Sequence, residues 1–234
     1  RESLLDFDSS FTIALPTDLL PAKPALQACA NAENLGIFLT ETGPDFEDFA
    51  SVDLTLILGE PRDPAPFAYP LGWELITLLT NPDNPVRGLG PEEMRLLFSG
   101  ALPTWEPLGG GSVPVSLWVP LESGPVWLRF QVAVLGGAGL SPEATLAPSP
   151  QAVIDAVQAD PGAVGLVPGA WVEGLPVGAP ALTGLSADAL RLPVLVAAAA
   201  APAEPVRRFI SCLQAGEGKT VLRERYAGWD PAAP

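Results

Sequence analysis

Asn81–Phe130 reads NPDNPVRGLGPEEMRLLFSGALPTWEPLGGGSVPVSLWVPLESGPVWLRF. Its entry is punctuated by Pro82 and Pro85, which hold the chain out of regular structure. Gly90-Pro91-Glu92-Glu93 then combines a proline at a first helical position with acidic residues in the first turn, so a helix is expected over Pro91–Phe98. Phe98-Ser99-Gly100 closes that helix, and a loop carrying Trp105 comes next. Val113–Val119 has the apolar, β-branched character of a strand. Ser123-Gly124 opens a second helix, expected over Gly124–Leu135. Strand and helix signals alternating at this spacing point to an α/β sheet.

The same alternation extends outward in both directions. Phe11–Leu15, Leu35–Thr40 and Val52–Leu58 read as short buried strands. A helix over Leu19 to about Ala32 separates the first two, with Pro21 and Pro24 confined to its first turns. A short helix is expected over Asp45–Ser51. After the Pro-rich segment Pro61–Pro70, Trp73–Thr80 reads as a strand crossing from a first lobe to a second. Pro150–Ala159 is amphipathic and helical, Ala163–Val167 is a strand, and Leu192–Val196 is the strand that returns. Pro205–Tyr226 forms one or two closing helices. The 28 prolines lie mainly at the ends of these elements, where they restrict the unfolded chain.

Composition excludes several function classes. A net charge of −15 with only two lysines, Lys23 and Lys219, opposes nucleic-acid binding, which needs cations to neutralise phosphates. It does not oppose capture of one small anion, because local backbone N–H groups act at short range. The chain has no histidine, so a Ser-His-Asp triad, a histidine metal site and a histidine switch are all excluded. No metal or other cofactor is expected. No run of eighteen apolar residues is free of Pro, Gly or charge. Cys29 and Cys212 form no CxxC motif and read equally well as two buried thiols or as one disulfide of an exported protein.

The order of parts in Asn81–Phe130 resembles the second lobe of phosphate-type periplasmic substrate-binding proteins. Three later segments are similar to the same family. They are Asp160-Pro161-Gly162-Ala163-Val164-Gly165-Leu166-Val167, Leu192-Pro193-Val194-Leu195, and Val206–Ile210 continuing through Gly216-Glu217-Gly218-Lys219; Tyr226-Ala227-Gly228-Trp229 resembles the family's terminal turn. The likeness spans most of the chain from about residue 70. The first seventy residues keep the strand–helix order in a shortened form.

The resemblance implies a two-lobed type II periplasmic-binding-protein fold, each lobe a mainly parallel sheet flanked by helices. Lobe 1 would comprise 1–74 with 191–234, and lobe 2 would comprise 75–190. Crossover strands near Leu71–Ile76 and Arg191–Val194 would act as the hinge. It also implies that Cys212, on the closing helix, lies near enough to Cys29, on the first helix, to bridge.

In open α/β sheets, ligands lie beyond the carboxyl ends of the strands. That rule selects Thr17, Thr42, Gly59, Glu60 and Arg62 in the first lobe, and Ser123 with Gly124 in the second. Helix starts there would present N–H groups to an oxyanion. The plainer alternatives are N-caps for Thr17 and Ser123, turn glycines for Gly59 and Gly124, and a surface position for Arg62. Trp105, Trp118, Trp127 and Trp171 read as packing residues. The family's arginine ahead of its Ser-Gly-Thr motif has no counterpart in Trp118–Ser123, and Pro125 stands in place of the threonine.

The resemblance further implies an extracytoplasmic, monomeric solute-binding protein of an ABC importer, with permease subunits as partners. It would hold a small phosphate-like anion or related solute between its lobes, and a lipid anchor before residue 1 fits that role. The alternative is a non-transport ectodomain or scaffold that keeps the fold without the phosphate. An enzyme using Glu60 and Glu122 as paired carboxylates is the least supported, because no nucleophile or metal motif accompanies them.

Overall fold

The computed structural model describes residues 9–62, 67–121, 123–186 and 188–228. The elements run β1 (Ser9–Pro16), α1 (Lys23–Ala32), β2 (Leu35–Thr42), β3 (Leu54–Leu58), β4 (Phe67–Thr80), β5 (Gly88–Leu89) and α2 (Pro91–Phe98). They continue with β6 (Ser116–Pro120), α3 (Pro125–Phe130), β7 (Thr145–Ala147), α4 (Pro150–Ala159) and β8 (Ala163–Pro168). The chain ends through β9 (Ala181–Leu182), β10 (Arg191–Ala198), α5 (Glu204–Ala215), α6 (Glu217–Leu222) and β11 (Ala227–Gly228). The chain divides into two compact units, Arg1–Glu74 with Pro193–Pro234, and Leu75–Leu192.

In unit 1 the strand order is β2-β1-β3-β10. β1 pairs in parallel with β2 and β3, while β10 runs antiparallel to β3. A 3₁₀ turn over Thr17–Ala22 leads into α1, because Pro21 and Pro24 each remove an N–H that an α-helix would use. α1 buries Ala25, Leu26, Cys29 and Ala30, the i, i+4 face. Asn34, at φ 53, turns the chain out of the helix in the left-handed region that asparagine tolerates. α5 buries Phe209, Ile210, Cys212 and Leu213. The Phe209 ring meets Phe11 of β1 edge-on at 5.1 Å. Cys29 and Cys212 form a disulfide with Cα atoms 5.8 Å apart. A Cβ at Gly218 would lie 2.4 Å from the Cys29 sulfur, so a glycine is needed for α6 to pack against the bridge.

Unit 1 departs from expectation between β2 and β3. Residues 43–53 contain no helix; Phe46 N–H bonds to the Gly43 carbonyl and Ala50 N–H to an Asp48 carboxylate oxygen, which are turn bonds. Asp48 and Asp53 spend their carboxylates on local and cross-strand backbone groups, the latter accepting from the Thr12 N–H at 2.8 Å. Edge strand β2 therefore leaves Phe38 63% exposed.

In unit 2 the order is β4-β8-β6-β7, with β4 antiparallel to β8 and the remaining pairs parallel. The signals from Asn81 to Trp105 have atomic counterparts here. The Asn81 side chain donates to the Val157 and Gln158 carbonyls at 2.9 and 3.2 Å, satisfying the C-terminal carbonyls of α4. Asn84 accepts from the Val86 N–H at 3.0 Å and fixes the next turn. Glu93 reaches back to the Gly90 N–H at 2.7 Å, the reciprocal half of a capping box. Trp105 is fully buried and its indole N–H donates to the Gly162 carbonyl at 3.0 Å. The Phe98 and Phe130 rings meet at a tilt of 58° with centroids 4.7 Å apart.

The helix expected over Gly124–Leu135 begins as α3 and widens into a π-turn over Gln131–Leu135, closed by the Gly136 N–H on the Gln131 carbonyl at 3.0 Å. α4 packs so closely on β8 that a Cβ at Gly165 would fall 2.2 Å from Val153. Trp118 and Trp171 are partly buried against the resulting cluster of Leu79, Ile154 and Val167, and Trp127 is buried.

Two stability measurements test this packing. Trp105→Phe should cost about 1–3 kcal/mol in urea denaturation, because the smaller ring leaves a gap in the core and the Gly162 carbonyl keeps only the Ser116 N–H of its two donors. Reducing the bridge, whose partners are 183 residues apart, should lower stability by up to roughly 5 kcal/mol on the chain-entropy scale, read as a shift in the urea midpoint with and without reductant.

Candidate functional site

The strand register sets the geometry of the unit 1 rim. Pro16 lies opposite Thr42, and Ala14 lies opposite Thr55. The carboxyl ends of β2 and β1 are therefore level, β3 runs on from Thr55 to Leu58, and Thr17 leaves the sheet directly after Pro16 in a 3₁₀ turn. Neighbouring strands are spaced about 4.8 Å apart, so the three ends fit within about 10 Å. Gly59 adopts φ 88, a conformation that disfavours side chains, and its N–H donates to the Pro193 carbonyl at 2.7 Å. The Thr42 hydroxyl is buried with no hydrogen-bond partner, an uncommon state for a polar group.

The other predicted unit 1 residues sit farther out. Glu60 and Arg62 are at the surface of the chain that leaves β3, and the Arg62 N–H donates to a Glu47 carboxylate oxygen at 2.9 Å. Thr17 is the first residue of the 3₁₀ turn, and Pro16 occupies the cap position with no side-chain bond, so the N-cap reading of Thr17 does not hold. In unit 2, Ser123 and Gly124 lie shortly after β6. Gly124, not Ser123, is the N-cap of α3, again without a side-chain bond. Pro125 takes the first helical position and contributes no N–H. Glu122 lies outside the described residues. Arg129, the arginine farther along α3, donates to the Asp188 carbonyl at 2.6 Å. Asp188 also pairs with Arg191 at 2.7 Å.

Strand-end reasoning reaches the loop Pro16-Thr17-Asp18 but not the burial of Asp18, nor Glu74 within β4. Asp18 and Glu74 are 4% and 1% exposed. Burial pushes the Asp18 carboxyl up to about 6. Tyr226 is buried, and its hydroxyl is held well above its ordinary value by burial first, then by Glu74 and Asp18 against the opposing Arg225. The sequence does carry a signal: Glu74 is a lone charge inside the apolar run Leu71–Leu79.

No protein-family model matches the chain, and no curated protein matches it by sequence. Solved structures do. A phosphate ABC transporter substrate-binding protein with bound phosphate from Clostridium perfringens superposes with a TM-score of 0.78 at 18% identity, over 94% of this chain and 100% of that one. The fold is that of the type II periplasmic binding proteins. An ABC-type phosphate transport receptor from Vibrio cholerae gives 0.69 at 17% identity, covering 92% of this chain and 98% of its own. The fold also carries regulators: the Synechocystis CcmR regulatory domain in complex with 2-PG gives 0.67 at 11% identity, covering 88% and 96%. The chain is thus an α/β protein of this fold, with sequence far diverged from those structures. Among the described residues no helix is long and apolar enough to cross a membrane, and no group of His, Cys, Asp and Glu is arranged to hold a metal ion.

The buried Asp18 carboxyl has a definite pH signature. Its folded value of about 6 lies above its ordinary value of 3.8, so the folded state binds the extra proton between those limits. Its contribution is complete below about pH 4 and is lost as pH rises through 6, by roughly 3 kcal/mol at about 1.4 kcal/mol per pH unit. Asp18→Asn should remove that slope: urea midpoints of the variant and parent should diverge in the variant's favour from pH 4 to pH 7. Parallel curves would show that the folded Asp18 carboxyl titrates as it does in the unfolded chain.

Proposed function

We propose that this chain is an extracytoplasmic solute-binding protein of an ABC importer, taking a small oxyanion or related small solute and delivering it to permease subunits. The supporting observation is the end-to-end agreement with a phosphate substrate-binding protein, covering 94% of this chain and all of that one, so neither unit of the fold is missing. In this proposal Thr17, Thr42, Gly59, Glu60 and Arg62 are the ligand contacts from unit 1, and Ser123 with Gly124 those from unit 2. The role is capture and release by a monomer, without catalysis. A lipid anchor ahead of residue 1 belongs to the same proposal.

The polar groups supporting this reading differ from a strong phosphate cage. Thr17 and the unpartnered Thr42 hydroxyl can donate to an oxyanion, but Pro125 cannot, and Trp118–Ser123 contains no arginine. A missing charged partner costs roughly 2–5 kcal/mol in a buried pair, or about 30-fold and upward in affinity. The preferred solute therefore makes a weaker electrostatic demand than free phosphate, as a small carboxylate or a mono-anionic ester does. The second reading, a scaffold that keeps the fold without a ligand, draws on the same proline and on Arg129 being committed to the Asp188 carbonyl.

Calorimetry with phosphate, sulfate, molybdate and a panel of small carboxylates separates the two readings. Micromolar or tighter binding of any one, weakened about tenfold by Thr17→Val and by Ser123→Ala, is the expected result for solute capture. Heat of dilution alone across the whole panel would leave the scaffold.

A further inference from the structure

We infer that unit 1 carries a further anion site, a small pocket among β4, α5, α6 and β11 that holds a short dicarboxylate between Lys219 and Arg223. The Arg223 N–H bonds to the Lys219 carbonyl at 3.1 Å, so the two residues stand one helical turn apart. Side chains four apart on a helix share a face, and like charges placed there repel unless an anion lies between them. Lys219 is half-buried and Arg223 is exposed.

Most cations of this acidic chain are already matched. Lys23, Arg95, Arg191, Arg207 and Arg208 pair with carboxylates, and Arg87 and Arg129 donate to main-chain carbonyls. Among the described residues, neither the Lys219 ammonium nor the Arg223 guanidinium has a carboxylate or carbonyl partner. The C-terminal end of α6 favours cations. That preference explains the residue types, but it does not require them to wall a recess.

The recess is a pocket of about 200 Å³. Pro70, Leu71 and Leu222 give it apolar walls, and Gln214 joins Lys219 and Arg223 among its polar ones. No carboxylate lines it, in a chain with 27 acidic residues. Its frame is fixed by the fold. The Gln214 side-chain amide donates to the Pro70 carbonyl at 3.0 Å and ties α5 to β4. β11 pairs with β4 at Gly72, where a Cβ would fall 2.8 Å from the Ala227 carbonyl oxygen. A Cβ at Gly228 would lie 3.3 Å from the Arg223 Nε, so the bare glycine gives the guanidinium room against the strand. A volume below the roughly 300 Å³ of ordinary small-ligand sites admits only a few heavy atoms. Two positive charges match two negative ones, and Leu71 and Leu222 match a short carbon chain between them. A dicarboxylate the size of succinate meets both demands, whereas inorganic phosphate has no apolar part. The pocket shares no residue with the strand-end contacts and does not depend on them.

The test titrates the intact protein with succinate and follows ¹H–¹⁵N spectra. The Arg223 Nε–H and the Gly228 amide should move together. Butyrate, with the same carbon chain and one charge fewer, and inorganic phosphate should each bind about tenfold more weakly. The double variant Lys219→Gln with Arg223→Gln should weaken succinate binding by about tenfold or more. Added sodium chloride should weaken it in the parent, which gives a second reading that needs no variant. Unmoved Arg223 and Gly228 signals at millimolar succinate would overturn the inference, as would equal affinity for succinate and phosphate or for parent and double variant. Succinate held at the strand ends instead would lose affinity in Thr17→Val and leave the Arg223 signal in place. That result would overturn this inference and support the strand-end reading.

Discussion

Unit 1 is assembled from two pieces of chain that lie on either side of all of unit 2, and the rest of the structure depends on how they are joined. β10 completes the sheet by pairing antiparallel to β3 from Leu58 to Thr55. α5 then lays Phe209 against Phe11, and the Cys29–Cys212 bridge crosses a separation of 183 residues. Contacts this distant in sequence are costly to close in an unfolded chain, because loop entropy must be lost before they contribute. The covalent bridge removes part of that loss. The glycine at 218 belongs to the same junction, since any side chain there would collide with the Cys29 sulfur. The Gly59 N–H donates to the Pro193 carbonyl, so the junction also fixes the turn that ends β3 at the candidate rim.

A chain with 27 acidic and 12 basic residues must place its negative charge carefully. Most carboxylates are solvated, and several are consumed by local work: Glu93 caps α2, Asp53 ties β1 to the chain entering β3, and Asp160 accepts from the Gly162 N–H at 2.8 Å. Asp18 and Glu74 are different. They are carried into unit 1 close to the Tyr226 hydroxyl, where desolvation disfavours charge. Burial holds the proton on Asp18 to higher pH, so this acid adds less negative charge beside Thr17 than an exposed one would.

The run Asn81–Phe130 is legible because its signals are local and each does one job that chemistry specifies. Asparagine reaches helix carbonyls, proline starts α2, glutamate closes the capping box, and the tryptophan fills a core while its N–H finds a carbonyl. The helix expected over Asp45–Ser51 is not realised, since Asp48 and Asp53 compete for backbone N–H groups and favour turns. Serine caps helices well, which makes Ser123 the natural candidate, yet Gly124 holds that position. The propensity of one residue does not reveal that the helix begins one step later, at Pro125. The π-turn after Phe130 and the β5–β9 pair have no pattern of their own; both arise from what the surrounding chain leaves unsatisfied.

The strand-end residues illustrate why fold and ligand are unequally encoded. A strand or a core helix is specified by many apolar positions, so a few substitutions leave it recognisable at 18% identity. A ligand contact depends on one hydroxyl, one N–H or one guanidinium, and exchanging threonine for Pro125 removes it without disturbing the helix it begins.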